Sequence, residues 1–259
     1  MLKIAFLFLT IGPVYHEHLW RSFFQGHEDH YTIYAHAKNE IPRSNLLFPY
    51  QIPTKISTTW SNTMRAQIAL LKEALKEPDN TKFIFISETT IPLATFDTVY
   101  QRVLQTPHSI FMYRPNPHII EGSAIFDPSR NLQPIPADLQ YKCYQWVVLN
   151  RKHAQLMVDD TYYIAIAEQH RLDNEHYPAT LLACHNLLHE VEQKSTTYVY
   201  WPTQAITRAA HPYSFVNFED PAELARAAGV IKAGYLFIRK IDKDCVLEPL
   251  EKLLPYSIN

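Results

Sequence analysis

Residues Lys3 to Thr10 (KIAFLFLT) carry an unbroken apolar run, and that run narrows the possible folds more than any other feature of the chain. A strand with no polar face needs cover on both sides, as in a parallel sheet. Glu17 to Gln25 then switches to helical spacing, Leu19 with Phe23 and Trp20 with Phe24, and His30 to Ala37 (HYTIYAHA) is extended in pattern again. Strand, helix and strand within forty residues make a βαβ unit, so the expected fold is α/β with a mostly parallel central sheet flanked by helices. Ligands of such sheets gather at the carboxyl ends of the strands, here Thr10 and the polar stretch His36-Ala37-Lys38-Asn39.

The rest of the chain continues the alternation. Helices are expected over Asn62–Leu75, Phe96–Leu104, Arg151–Val158, Pro221–Ala228 and Leu247–Leu254. Strands are expected over Lys82–Ser87, Tyr141–Leu149, Thr196–Trp201 and Gly234–Lys240. Thr106 to Gln140 has six prolines and little periodicity. A loop of that length is functional or partly mobile. No repeat or linker divides the sequence, so residues 1–259 read as one domain.

Several function classes drop out. A formal net charge of -2 provides no general attraction to nucleic acid. The run Ile4–Leu9 is too short to span a bilayer, and Pro13 with Tyr15-His16-Glu17-His18 breaks it before any small-residue cleavage site. Neither a transmembrane segment nor a signal peptide is therefore expected. Three scattered cysteines without CxxC indicate a reducing compartment, hence a cytoplasmic location. Among only five glycines there is no GxGxxG and no GxxxxGK[ST]. His27-Glu28-Asp29-His30 and Cys184-His185 with His189 have ligand-like spacing, but HExxH and paired CxxC are missing, and no metal is expected.

One stretch concentrates chemistry: Leu172-Asp173-Asn174-Glu175-His176-Tyr177-Pro178, followed by Ala179-Thr180-Leu181-Leu182. Asn174 is expected to cap a helix whose opening turn tolerates Pro178. Glu175 then reads two ways, as a partner of the helix dipole or as a rigidly held base. Downstream, Arg239 and Lys240 close a strand, where alternation lets only one of them face a cleft. Asp242-Lys243-Asp244 reads as a surface turn.

In order along the chain, KIAFLFLTIGPV, LWRSFFQGHE, YTIYAHA, TTW-SNTMRAQIALLKEAL, NTKFIFISETTIPLATFDTVYQRVL, YQWVVLNRKHAQLMVDDTYY, DNEHYPATLL, TTYVYW, HPYSF and YLFIRK resemble the core-2/I-branching β-1,6-N-acetylglucosaminyltransferase family, in particular its plant and bacterial branch. The resemblance covers nearly the whole chain. It implies a modified GT-A (Rossmann-like) fold, a UDP-sugar donor, a carbohydrate acceptor, inversion at the anomeric carbon and no metal requirement. It places the catalytic base on Glu175 and a diphosphate-binding cation on Lys240, beside Arg239. A second family arginine falls on Arg226 or Lys232. Thr10, His36 and Lys38 correspond to the nucleotide edge, where the family often has an aspartate in the position of Ala37. Glu88, Lys142, Gln145 and Trp146 correspond to the acceptor side, as do Tyr177 and Trp201; packing explains Trp146 equally well, and Trp60 and Trp201 read as core or cleft wall.

The expected activity is inverting transfer of N-acetylglucosamine, or of xylose or a related sugar. The competing readings are a non-catalytic glycan- or nucleotide-binding protein on the same fold and a metal-dependent hydrolase.

Overall fold

The computed structural model describes residues 1–60, 62–170, 172–202 and 211–256. In chain order its strands and helices are β1 (Lys3–Thr10), α1 (Glu17–Phe24), β2 (Tyr31–Ala37), α2 (Met64–Ala74), β3 (Asn80–Ile86), β4 (Ile91–Pro92), α3 (Phe96–Leu104), β5 (Ser109–Ile110), β6 (Tyr113–Pro115), β7 (Tyr141–Cys143) and β8 (Val148–Asn150). There follow α4 (Arg151–Asp159), α5 (Tyr162–Ala167), α6 (Asp173–Cys184), β9 (Val191–Glu192), β10 (Thr197–Val199), β11 (Phe215–Asn217), α7 (Pro221–Lys232), β12 (Phe237–Arg239), β13 (Ile241–Val246) and α8 (Glu248–Glu251).

β1 is covered on both faces, as its composition requires. Phe6 and Phe8 turn to the side where α1 presents Trp20, Phe23 and Phe24, with Phe6 5.0 Å from Phe24 and Phe8 5.1 Å from Trp20 between ring centres. Ala5, Leu7 and Leu9 turn to the other side, against Leu70 and Leu71 of α2. Each of these phenylalanine and leucine side chains contributes about 1.5–3 kcal/mol by leaving water. The six-stranded sheet runs β2-β1-β3-β8-β5-β9. β1 is parallel to β2 and β3, while β8 runs antiparallel between β3 and β5. Because of that reversal, the residues entering β8 lie at the same edge as the carboxyl ends of β1, β2 and β3.

Three expectations change. Tyr141–Leu149 is not one strand: β7 pairs with β6, β8 pairs with β3 and β5, and Tyr144 to Val147 cross between the two sheets. Apolar content carried the pattern through this jog: Trp146 is buried by packing, and the Val147 carbonyl accepts from Phe85 N–H at 3.3 Å just before β8 begins. Thr196–Trp201 and Gly234–Lys240 contribute only β10 and β12, which join β4 in a separate three-stranded sheet. Asp242-Lys243-Asp244 is strand rather than turn, because buried Ile241 and Cys245 anchor β13 beside β11. The long proline-rich segment is braced from within: the buried Gln140 amide accepts from Leu132 N–H at 2.9 Å and donates to Asn131 Oδ1 and the Ile135 carbonyl, both at 2.8 Å. Among the described residues, no helix is long and apolar enough to cross a membrane.

Candidate active site at the strand ends

α6 places Glu175, and the polar residues ahead of it do something other than cap their own helix. The helix begins at Asp173, so Asn174 and Glu175 lie inside its first turn and Asn174 is not the N-cap. Asp173 is buried and accepts from the backbone N–H groups of Thr63 (3.0 Å) and Met64 (3.2 Å), capping α2 from outside. Asn174 donates to Thr63 Oγ1 at 2.8 Å and to Gln145 Oε1. The entry residue Leu172 is held in the left-handed region at φ 61°, a conformation that costs about 1–3 kcal/mol and persists only where its surroundings over-determine it. Pro178 lies beyond the opening turn, so α6 lacks the bond its N–H would have made to the Asn174 carbonyl.

Glu175 is gripped on one side. Lys142 Nζ stands 2.6 Å from Oε2, with side-chain exposures of 16% for the lysine and 22% for the glutamate. Oε2 itself is shut from solvent and the lysine approaches off its hydrogen-bonding direction. The accessible part of the carboxylate is therefore at Oε1.

A string of contacts leads from here to two cations. Gln145 touches Asn174, and the neighbouring Trp146 carries the Arg239 guanidinium 4.2 Å above its ring. Arg239 also donates to Ser87 Oγ at 3.2 Å, at the end of β3. Burial pulls the Arg239 pKa down to about 10, against the opposing pull of Glu88. Lys240 follows, half-buried, and makes no ion pair or side-chain hydrogen bond with any described residue. Burial and then the Arg239 charge push its pKa below the ordinary lysine value, while Glu88 holds it up. Glu88 is buried with these cations and its carbonyl accepts from Tyr15 N–H at 3.0 Å, so it belongs to their side of the cleft, not to the side of Lys142.

The remaining expected residues divide. Thr10 ends β1 with its hydroxyl buried and without a partner among the described residues, and its carbonyl accepts from Lys38 N–H at 3.0 Å. His36 Nε2 accepts from Ile56 N–H at 2.9 Å, and Lys38 is exposed. Tyr177 lies in the core with its hydroxyl 2.9 Å from Asp160 Oδ2, so it braces α6 and does not reach an acceptor. One face of Trp146 is taken by Arg239 and the ring is buried, which makes it a support for the cation. Trp201 is 38% exposed beyond β10; Trp60 is 63% exposed and edge-on to His211, so it is not core. Arg226 stacks 3.7 Å over Tyr200, which follows β10 as Lys240 follows β12 in the same register. Lys232 lines a cleft of about 660 Å³ with Arg102, Lys194 and Gly234, at the opposite end of β12. Of the two alternatives, Arg226 alone shares the edge of Lys240.

The sequence model of the Core-2/I-Branching enzyme family matches residues 4–225. The chain belongs to the core-2/I-branching enzyme family. A similar protein is Glycosyltransferase BC10 of Oryza sativa subsp. japonica, 25% identical over 252 residues that cover 82% of this chain and 62% of that protein. The chain thus spans less than two thirds of that relative's length. The crystal structure of A197 from STIV aligns with a TM-score of 0.31 and 11% identity, over 62% of this chain and 70% of that one. The mixed sheet flanked by helices in this core-2/I-branching family member is consistent with a GT-A-like fold.

Two features of this family member have no local signal in the sequence. One is Asp173, which ties the first turns of α6 and α2 together across the chain. The other is His118, in the proline-rich segment, 3.4 Å from Lys142 Nζ and 2.8 Å from an Arg130 nitrogen. Among the described residues, no group of three or more His, Cys, Asp or Glu side chains is placed to hold a metal ion.

Buried histidines give a pH prediction. Burial is the main cause that lowers His118 and His153 to about 4 and His176 to about 3. The unfolded chain binds these protons near pH 6.5, whereas the folded chain refuses them until pH 4 or below. Stability is therefore fully present above about pH 6.5 and falls as the pH drops toward 4, by up to about 1.4 kcal/mol per pH unit for each histidine. A melting temperature that stays flat between pH 7 and 4.5 would contradict this.

Proposed function

We propose that this chain is an inverting glycosyltransferase that moves a sugar, most simply N-acetylglucosamine, from a UDP donor to a glycan acceptor. The observation that carries the reading is the pairing, on one strand-end edge, of a carboxylate anchored through one oxygen with two cations that form no ion pair with any described carboxylate, Glu88 acting on them only from a distance. A buried and a half-buried cation with one nearby carboxylate and no ion pair are costly, and an anionic ligand lowers that cost. Lys240, with the buried Arg239 charge behind it, answers the charge that develops as the nucleoside diphosphate leaves. Glu175, held through Oε2, offers Oε1 to the acceptor hydroxyl, takes its proton, and lets the oxygen attack the anomeric carbon from the face opposite the leaving group. A binder without chemistry would keep the cations but has no use for a carboxylate fixed in this way. Xylose or another UDP-linked sugar suits the same machinery.

In this reading the cations replace a metal, and transfer survives EDTA. The test is UDP release from UDP-N-acetylglucosamine and UDP-xylose over a panel of glycan acceptors, with and without chelator. Activity that disappears with EDTA and returns with manganese would instead put Asp242 and Asp244 at the diphosphate. UDP binding without turnover on any acceptor would favour the binding protein.

A further inference from the structure

We propose that His118 is a positioning residue for the base: its Nε2 accepts from both Lys142 and Arg130 and so holds the lysine against Glu175. This rests on the transferase reading for its role, but its geometry stands apart from it. His118 Nδ1 lies 2.8 Å from the Ile125 carbonyl, which can only accept, so Nδ1 carries the ring proton. Nε2 faces Arg130 at 2.8 Å and Lys142 Nζ at 3.4 Å, groups that can only donate. The contacts themselves fix a neutral ring with its lone pair on Nε2.

The ring is also clamped by its backbone. His118 N–H donates to Asn116 Oδ1 at 3.1 Å and its carbonyl accepts from Asp127 N–H at 2.8 Å. Asn116 in turn donates to the Arg130 carbonyl at 3.0 Å. The charged and titratable groups facing the imidazole are Arg130, which pairs with Asp127 at 3.5 Å, Lys142 on β7, and Glu175 and His176 on α6, with the His176 ring 5.7 Å away. Two cations converge on one point, and the ring lets both stay only while Nε2 is an acceptor and the imidazole carries no positive charge. Burial and those same cations keep the ring neutral down to about pH 4. Without the acceptor, Arg130 and Lys142 repel each other, and the lysine loses the anchor on the side away from Glu175.

Three variants test this in the full chain: His118→Phe keeps a ring and removes the acceptor, His118→Asn is too short to reach Lys142, and His118→Gln restores an acceptor at similar reach. In ¹⁵N-histidine spectra, wild-type His118 should show Nδ1–H with an unprotonated Nε2 from pH 5 to 8. The Lys142 ammonium, assigned with Lys142→Met in ¹⁵N-lysine spectra, should be protected in wild type and His118→Gln and lost in His118→Phe and His118→Asn. With UDP-N-acetylglucosamine as probe, kcat for UDP release should fall about 10- to 100-fold in the same two variants, with KM little changed, because a base displaced by an ångström loses that much. An Nε2–H tautomer, an ammonium signal unmoved by His118→Phe and His118→Asn, or a His118→Gln as slow as those two would overturn the proposal. If the spectra behave as expected but wild type releases no UDP with any acceptor, the positioning geometry stands and the transferase reading fails.

Discussion

Glu175→Gln is expected to lower turnover roughly 10²–10⁴-fold while leaving UDP affinity close to wild type. Glutamine keeps the size and a carbonyl oxygen but cannot take a proton near neutral pH. The donor end is untouched: no hydrogen bond or ion pair among the described residues joins Glu175 to Arg239 or Lys240, and Arg239 connects toward it through Trp146, Gln145 and Asn174. Melting temperature alone does not decide the role. The substitution strands the Lys142 ammonium, whose side chain is 16% exposed, without the carboxylate 2.6 Å away, so some stability is lost whatever Glu175 does. A carboxylate that only complements the helix dipole is worth about 0.3–1 kcal/mol and nothing in rate. A variant that melts lower but transfers sugar at the wild-type rate removes Glu175 from the chemistry.

Lys240→Ala should separate activity from stability in the opposite sense. If Lys240 meets the diphosphate, UDP binding weakens and turnover falls about 10²-fold or more, as with other lost charge stabilisers. Yet the lysine is half-buried and pairs with no described carboxylate, and burial and the neighbouring Arg239 already disfavour its charge. Removing it should leave the melting temperature unchanged or raise it, the signature of a residue kept for function at the expense of the fold. Arg239→Ala is not equivalent: it exposes the face of Trp146 and takes a donor from Ser87, so it lowers stability as well. Calorimetry that finds UDP affinity unchanged in Lys240→Ala would make that residue a bystander.

The sequence by itself determined the parts of this protein that local periodicity encodes. Lys3–Thr10 and Phe96–Leu104 have the bounds their patterns imply, and α1 and β2 differ from theirs by one residue. Period reports burial, and β1 has apolar neighbours on both faces. The candidate base was legible too, because a carboxylate opening an apolar helix stands out within a few residues of chain. Only the tertiary structure decided what each polar group faces. Asn174 looks like a cap because its type suits one; the fold instead gives Asp173 to α2, more than a hundred residues earlier. Tyr141–Leu149 reads as one strand because its residues are buried, but burial does not say which sheet buries them, and the jog at Tyr144–Val147 is what carries Gln145 and Trp146 to the cleft. The same limit applies to the cations. Arg226 and Lys232 are equivalent in type and lie on one helix, and only the direction of β12 separates the edge of Lys240 from the far end. Lys142, Glu175 and His118 meet from a strand, a helix and the proline-rich segment between β6 and β7. Contacts between polar atoms far apart in the chain are set by how elements pack, and leave no period in the sequence.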